Sequence, residues 1–287
     1  MCPSRVLCVG WDGDGLGGGT GMRESRRISS ANTSEDAIAA FKDECSWLLT
    51  TYDNNQRLSR ALSGLYYSAK STRLAPRIVH ALLSGDPTET VDSGRGEDAC
   101  FVAEAMLRSV HSSGDLLAQV LNICLCEPRL RTRDVSLNSV LKRIRVKVAE
   151  CEEGTPDNDW YKAIASGLGG IGESAEYQYI ADFTNTAKHR HYIERTLLTS
   201  EDGCRIVFGA FKKDSREHET RTFEDVLSSA CSVVDECLDI VALVERRRAY
   251  DKVVAKGGTV IGDFYSVSAT PMVMPLARYT PRRYLPD

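Results

Sequence analysis

One stretch, FEDVLSSACSVVDECLDIVALVERRR at residues 223–248, most narrows what this chain can fold into. Its apolar residues return at three- and four-residue steps, the period of an α-helix, and they cover most of the circumference. A helix with so little polar surface has to be enclosed by other elements, so the fold is built around it. Thr222 precedes it at the N-cap position, where a hydroxyl accepts an otherwise unpaired amide hydrogen bond. Arg246, Arg247 and Arg248 stand at its far end, where cations complement the helix dipole.

The enclosing helices are upstream. EDACFVAEAMLRSVHSSGDLLAQVLNICL (97–125) and SLNSVLKRIRVKVAE (136–150) carry apolar residues at helical spacing, and a further helix starts near Ser174. Gly114, in the middle of the 97–125 helix, costs about 1 kcal/mol against alanine, so either a close helix approach or a break is expected there. Pro128 ends that helix. EEGTPDND and the glycines 167, 169, 170 and 172 predict loops around a short segment from Trp160. Residues 97–250 thus predict a four-helix bundle.

A smaller helical segment over 34–90 comes before the bundle. Ser34 caps EDAIAAFKDECSWLLTTY, a second helix covers about 55–70, and PRIVHALL begins a third at Pro76, a residue suited to a first turn. The only strand-like stretch is CRIVFGAFKK at 204–213. The expected class is all-α with at most one short β-hairpin. Residues 1–33, rich in Gly, Ser and Arg, read as a flexible leader with Met22 as an alternative start, and 256–287 as an extended Pro-containing tail.

The leader contains Gly13-Asp14-Gly15-Leu16-Gly17-Gly18, a match to GxGxxG. A dinucleotide site needs a helix directly after the glycines within a βαβ unit. GTGMRESRRISSANTS follows instead, so no cofactor is expected. The ten cysteines include no CxxC pair and the five histidines are scattered, so no metal site is expected either. Cys45, Cys100, Cys124, Cys231 and Cys237 sit among helical apolar residues, where a thiol behaves as a small hydrophobe.

The densest polar motif is ADFTNTAKHRHYI at 181–193. At about 100° per residue, Gln178, Asp182, Asn185, His189 and Tyr192 fall on one stripe, with Ile180, Phe183 and Ala187 opposite. On the 97–125 helix, Arg108, His111, Asp115, Gln119 and Asn122 form a second file. If the two helices are neighbours, Asp115 can accept a hydrogen bond from His189 or Asn185, and a carboxylate beside an imidazole favours a general acid. Three readings stay open: a catalytic site, a polar seam between helices, and a solvated face. His191, on the apolar side, reads as a packing histidine.

HSSGDLLAQVLN and YIADFTNTAKHRHYI together resemble the HEPN superfamily, specifically its poorly characterised bacterial bundle families, over roughly residues 97–250. That resemblance implies a four-helix bundle that usually dimerises. Many HEPN proteins are metal-independent RNases of toxin–antitoxin and antiphage systems, with an Arg, a polar residue often Asn, and a His a few positions on. Carried over, Asn185 matches the polar residue, His189 the histidine and Thr184 the arginine position. The implied chemistry has His189 move a proton while a cation stabilises phosphate charge, so Lys188, Arg190 or a second subunit must replace the missing arginine. Asp115, Asp182 and His111 are supporting residues, and His111 stands where relatives often carry Arg.

The formal charge of −4 selects no polyanionic partner, so RNA has to be met by a local patch. Arg129, Arg131, Arg133, Lys142, Arg143, Arg145 and Lys147 fall within a stretch whose one acid is Asp134; they are either a phosphate-binding edge or the solvated back of a helix that buries Leu137, Leu141 and Ile144. No GxSxG elbow is present and no cysteine has a histidine at a recognisable offset, which leaves nucleophilic catalysis without a motif. No apolar run approaches the ~20 residues of a membrane span, and a cytoplasmic address is the expectation. The sequence-based expectation is a HEPN-like protein, an RNA-targeting or RNA-cutting component of a defence or toxin–antitoxin system. The alternative is a non-catalytic, dimerising module that binds an antitoxin or another protein.

Overall fold

The structure, a computed structural model, describes residues 9–10, 56–189, 193–200, 203–255, 259–261, 264–266 and 274–275. The expected helix at 35–52 and the glycine motif at 13–18 lie outside the described residues. The helices are α1 (Gln56–Leu83), α2 (Pro87–Asp92), α3 (Arg95–Leu125), α4 (Leu137–Glu150), α5 (Pro156–Glu173), α6 (Ala175–His189) and α7 (Phe223–Ala255). The fold is mostly helical, as expected. Strands β2 (Arg195–Ser200), β3 (Gly203–Phe208) and β6 (Arg221–Thr222) form an antiparallel sheet edged by β1 (Val9–Gly10), and β4 (Phe211–Lys213) pairs with β5 (Arg216–His218) as a hairpin. β7 (Thr259–Ile261), β8 (Phe264–Ser266) and β9 (Met274–Pro275) make a third small sheet.

Helix α7 is enclosed as its sequence demands, with Val226, Ala230, Val233, Cys237, Val241 and Val244 almost without solvent exposure. It runs through two adjoining cores. One gathers Leu58, Leu62, Leu121, Val140, Ile144 and Ile164 around Cys237 and Val244. The other gathers Met106, Leu107, Tyr179, Phe183 and Phe208 around Val226 and Val233. Helix α3 crosses both as well, so α3 and α7 are the shared spine. Leu58, Leu62 and Leu65 of α1 pack into the first core beside Leu117 and Leu121 of α3.

Three local expectations change, each for a physical reason. Residues 56–83 are one helix with Pro76 inside it, not two helices. Proline costs an interior helix about 3 kcal/mol, and burial of Thr72, Ala75 and Val79 on both sides of it holds the turn against that cost. The glycine-rich segment after Trp160 is also a full helix, α5, capped by the Thr155 side chain with Pro156 at its first position. Ile164, Leu168 and Ile171 are buried at helical spacing, and that packing outweighs the low propensity of the glycines. Helix α7 continues to Ala255, so Arg247 lies inside it, paired with Asp157 and Asp251 and not with the helix end. At Gly114, where a close approach or a break was open, α3 runs on without a break.

Gly114 instead makes room for α6. A Cβ built there collides with the Tyr177 hydroxyl oxygen and lies 3.1 Å from Leu137. Gly64 and Gly96 are crowded in the same way, by the side chains of Leu116 and Leu197. The Gly114→Ala variant is expected to lose about 1–3 kcal/mol through overpacking, although alanine alone would favour a helix by ~1 kcal/mol. Urea unfolding checks this, and adding Tyr177→Phe to the variant should recover part of the loss. Unchanged stability in Gly114→Ala would refute the close approach.

Candidate functional site

The polar motif on α6 is divided between three environments. Asp182 is 3 % exposed and does not join a file facing α3. It faces the β4–β5 hairpin, where its two oxygens accept hydrogen bonds from Arg216 Nε at 2.7 Å and Nη2 at 2.8 Å, and contact His218 Nε2 at 2.9 Å. The hairpin register puts Phe211 opposite His218, and the two rings stack 4.6 Å apart. Tyr179, Phe183 and Phe208 close the cluster beneath, and the Arg221 guanidinium lies 4.1 Å over the Tyr179 ring, an ordinary cation–π distance.

Burial pushes the Asp182 carboxyl up, but the hydrogen bonds and charges of Arg216 and His218 together outweigh that and hold it below the usual carboxylate range. The pair is therefore ionised at neutral pH. Burial pushes the Tyr179 hydroxyl up to about 12, so it stays protonated. Arg216 commits Nε and Nη2 to Asp182, which leaves no free bidentate edge for a phosphate on that side. The cluster is a latch that fastens the hairpin to α6. Of the polar stripe on this helix, Asp182 thus meets the hairpin, while α6 itself packs beside α3 at Gly114.

His218 has no apparent context in the sequence. Its signal is the alternation in REH, which puts Arg216 and His218 on one face of a strand. Asn185 is half-buried, and no hydrogen bond reaches it among the described residues. Lys188 is exposed. Of His189 only the backbone is described, at the end of α6, and Arg190 and His191 lie outside the described residues. Thr184, at the motif's arginine position, is fully buried.

On α3 the file also splits. Asp115 is exposed. Burial, then the charge of Lys188, lowers the His111 imidazole, and Asp115 only partly opposes them. The His111 imidazole, a supporting residue in the sequence reading, is thus neutral at pH 7. Arg108 and Arg195 both bond Glu104, the latter at 2.6 Å. Asn122 pins the loop that follows α3, donating to Leu130 O at 3.1 Å and accepting from Leu130 N at 2.8 Å. Gln119 and Arg57 hold Thr132 of the same loop.

That loop carries the basic residues. Leu130 turns toward the core while Arg129, Arg131 and Arg133 are exposed. Lys142, Arg143 and Arg145 are exposed on α4, whose other face buries Val140, Leu141 and Ile144. Lys147 is half-buried and bonds Glu150 at 2.8 Å, and Arg133 stands 3.7 Å from Asp134 in an exposed pair. Cys100, Cys124 and Cys237 are buried thiols, Cys231 is half-buried, and Cys45 lies outside the described residues. Burial raises Cys100 to about 11 and Cys237 to about 12, which leaves both unreactive. Among the described residues no group of three or more metal-ligating side chains converges, and no helix is long and apolar enough to cross a membrane.

Comparison with known proteins adds no relative: no family model, no curated protein and no solved structure matches the chain.

Two measurements test these assignments. Asp182→Asn removes the charge that Arg216 and His218 share and is expected to cost about 1.5–3 kcal/mol, toward the lower end because Arg216 is half in water. The loss is read as a lower denaturation midpoint, with the hairpin amides gaining exchange. For His111, whose folded pKa is depressed, the unfolded chain binds the proton first as pH falls. Its stabilising share is complete above the unfolded value of ~6.5 and is lost as pH falls through that value toward the folded one. The Tm of wild type should therefore drop more than that of His111→Gln between pH 7.5 and pH 5.5; parallel curves would sink the assignment.

Proposed function

We propose that this chain is a HEPN-like helical bundle that binds RNA through the 129–133 loop and α4 without cutting it, in the defence or toxin–antitoxin setting that the resemblance implies. The observation that carries the reading is the fixed loop: Asn122, Gln119 and Arg57 hold its backbone and side chains, so that Arg129, Arg131 and Arg133 project into solvent. Arg131 is extended backbone, and Arg133 sits in the short 3-10 turn of Thr132–Asp134 that follows it. A loop backbone held in this way loses little freedom on meeting phosphates, and guanidinium is the side chain suited to bidentate phosphate contact. Lys142, Arg143 and Arg145 extend the positive edge along α4.

Two observations speak against cleavage. Thr184 puts the motif's charge-stabilising position inside the core, and the Asp182 carboxylate is occupied by Arg216 and His218. The binding edge also has no aromatic residue among its cations, so affinity rests on phosphates and not on stacked bases.

Anisotropy of labelled single-stranded RNA, titrated from 100 to 300 mM salt, tests this. Binding should weaken linearly in log–log form, and replacing Arg129, Arg131 and Arg133 by alanine should reduce the slope by about 2. Equal slopes would remove the loop from the interface. In EDTA no cleavage is expected; cleavage that disappears in a folded His189→Ala variant would restore the nuclease reading.

A further inference from the structure

Helix α4 turns two rows of cations toward solvent. At about 100° per residue, Lys142 and Arg145 fall on one side of its exposed arc, and Arg143 and Lys147 on the other. Val146, 51 % exposed, stands between the rows. Leu137, Val140, Leu141 and Ile144 take up the buried side. Burial pushes the Cys126 thiol up, and the charges of Arg143 and Lys147 partly oppose it. These two side chains therefore stand near the point where the basic loop leaves α3, so the loop joins α4 on that side.

Loop and helix are also locked in one frame. Ser136 and Ser139 form a capping box at the start of α4, and Ser139 Oγ donates to Asp134 O at 2.8 Å. Glu150 takes Lys147, and Asp134 takes Arg133. The side chains of Arg129, Arg131, Lys142, Arg143 and Arg145 meet no ion pair or hydrogen bond among the described residues. Their charge is left for a partner.

We infer that α4 lies along a groove of double-stranded RNA with one backbone on each row, an inference that rests on the RNA-binding reading above. Three observations favour a duplex over a single strand. The first is the two rows themselves. A helix is ~10–12 Å across with its side chains, so one strand can follow only one row. The minor groove of an RNA duplex is wide and shallow, with a backbone along either side, and it suits a helix whose crest is an uncharged valine. The second is composition. Residues 126–150 hold no aromatic side chain. Single strands draw affinity from bases stacked on such rings, whereas a duplex keeps its bases stacked inside. The third is the rigid frame. A flexible strand has to lose its own freedom to match fixed cations, and the phosphates of a duplex are already ordered.

Fluorescence anisotropy on the full chain tests this with a short RNA duplex, its single strand, and a DNA duplex of the same sequence. The RNA duplex should bind at least ~10-fold tighter than its single strand, with a salt slope steeper by about 0.9 for each added phosphate contact. In a Lys142→Ala/Arg145→Ala variant that preference should shrink to within about 2-fold. Both positions are exposed, and circular dichroism verifies the variant's fold. Equal or tighter binding of the single strand, or a preference that the variant keeps, overturns the inference and leaves the RNA reading standing. A DNA duplex that binds tighter than the RNA duplex overturns RNA as the source of the two backbones. No binding by any of the three overturns the RNA reading and the inference together.

Discussion

A carboxylate withdrawn from water has to be paired, and Asp182 is the residue on which that constraint falls. Removing a charge from water costs several kcal/mol, recovered only with good geometry and filled hydrogen bonds. Arg216 and His218 provide that geometry from one face of β5. The β4–β5 hairpin must therefore sit on α6, and once there it places Phe211 over Tyr179 and Phe183. An ion pair at one residue thus fixes where the small β element closes the second core.

The same logic explains why the polar residues of α3 form no single site. Each answers a local demand. Glu104 neutralises Arg108 and Arg195, and Asn122 satisfies both backbone groups of Leu130. An amide that accepts and donates to one residue replaces a missing ladder, because a buried backbone group left unpaired costs ~1–3 kcal/mol. The consequence for function is indirect: the loop becomes rigid, and rigidity is what makes a short row of arginines a defined surface.

The long helices were legible because burial imposes a period on sequence. Helix α7 and the apolar face of α4 could be read directly, and Gly114 announced a close approach without naming Tyr177 as the partner. Short-range rules failed where tertiary packing overrode them. Pro76 and the glycines of α5 suggest boundaries that burial of Val79 and Ile171 cancels. The candidate site was half legible. Asp182 stood out as polar on an amphipathic helix, but its partners lie more than thirty residues away in an exposed-looking hairpin. A helical wheel shows which side a residue takes and not which element meets it, so the hairpin could not be read as the partner of Asp182.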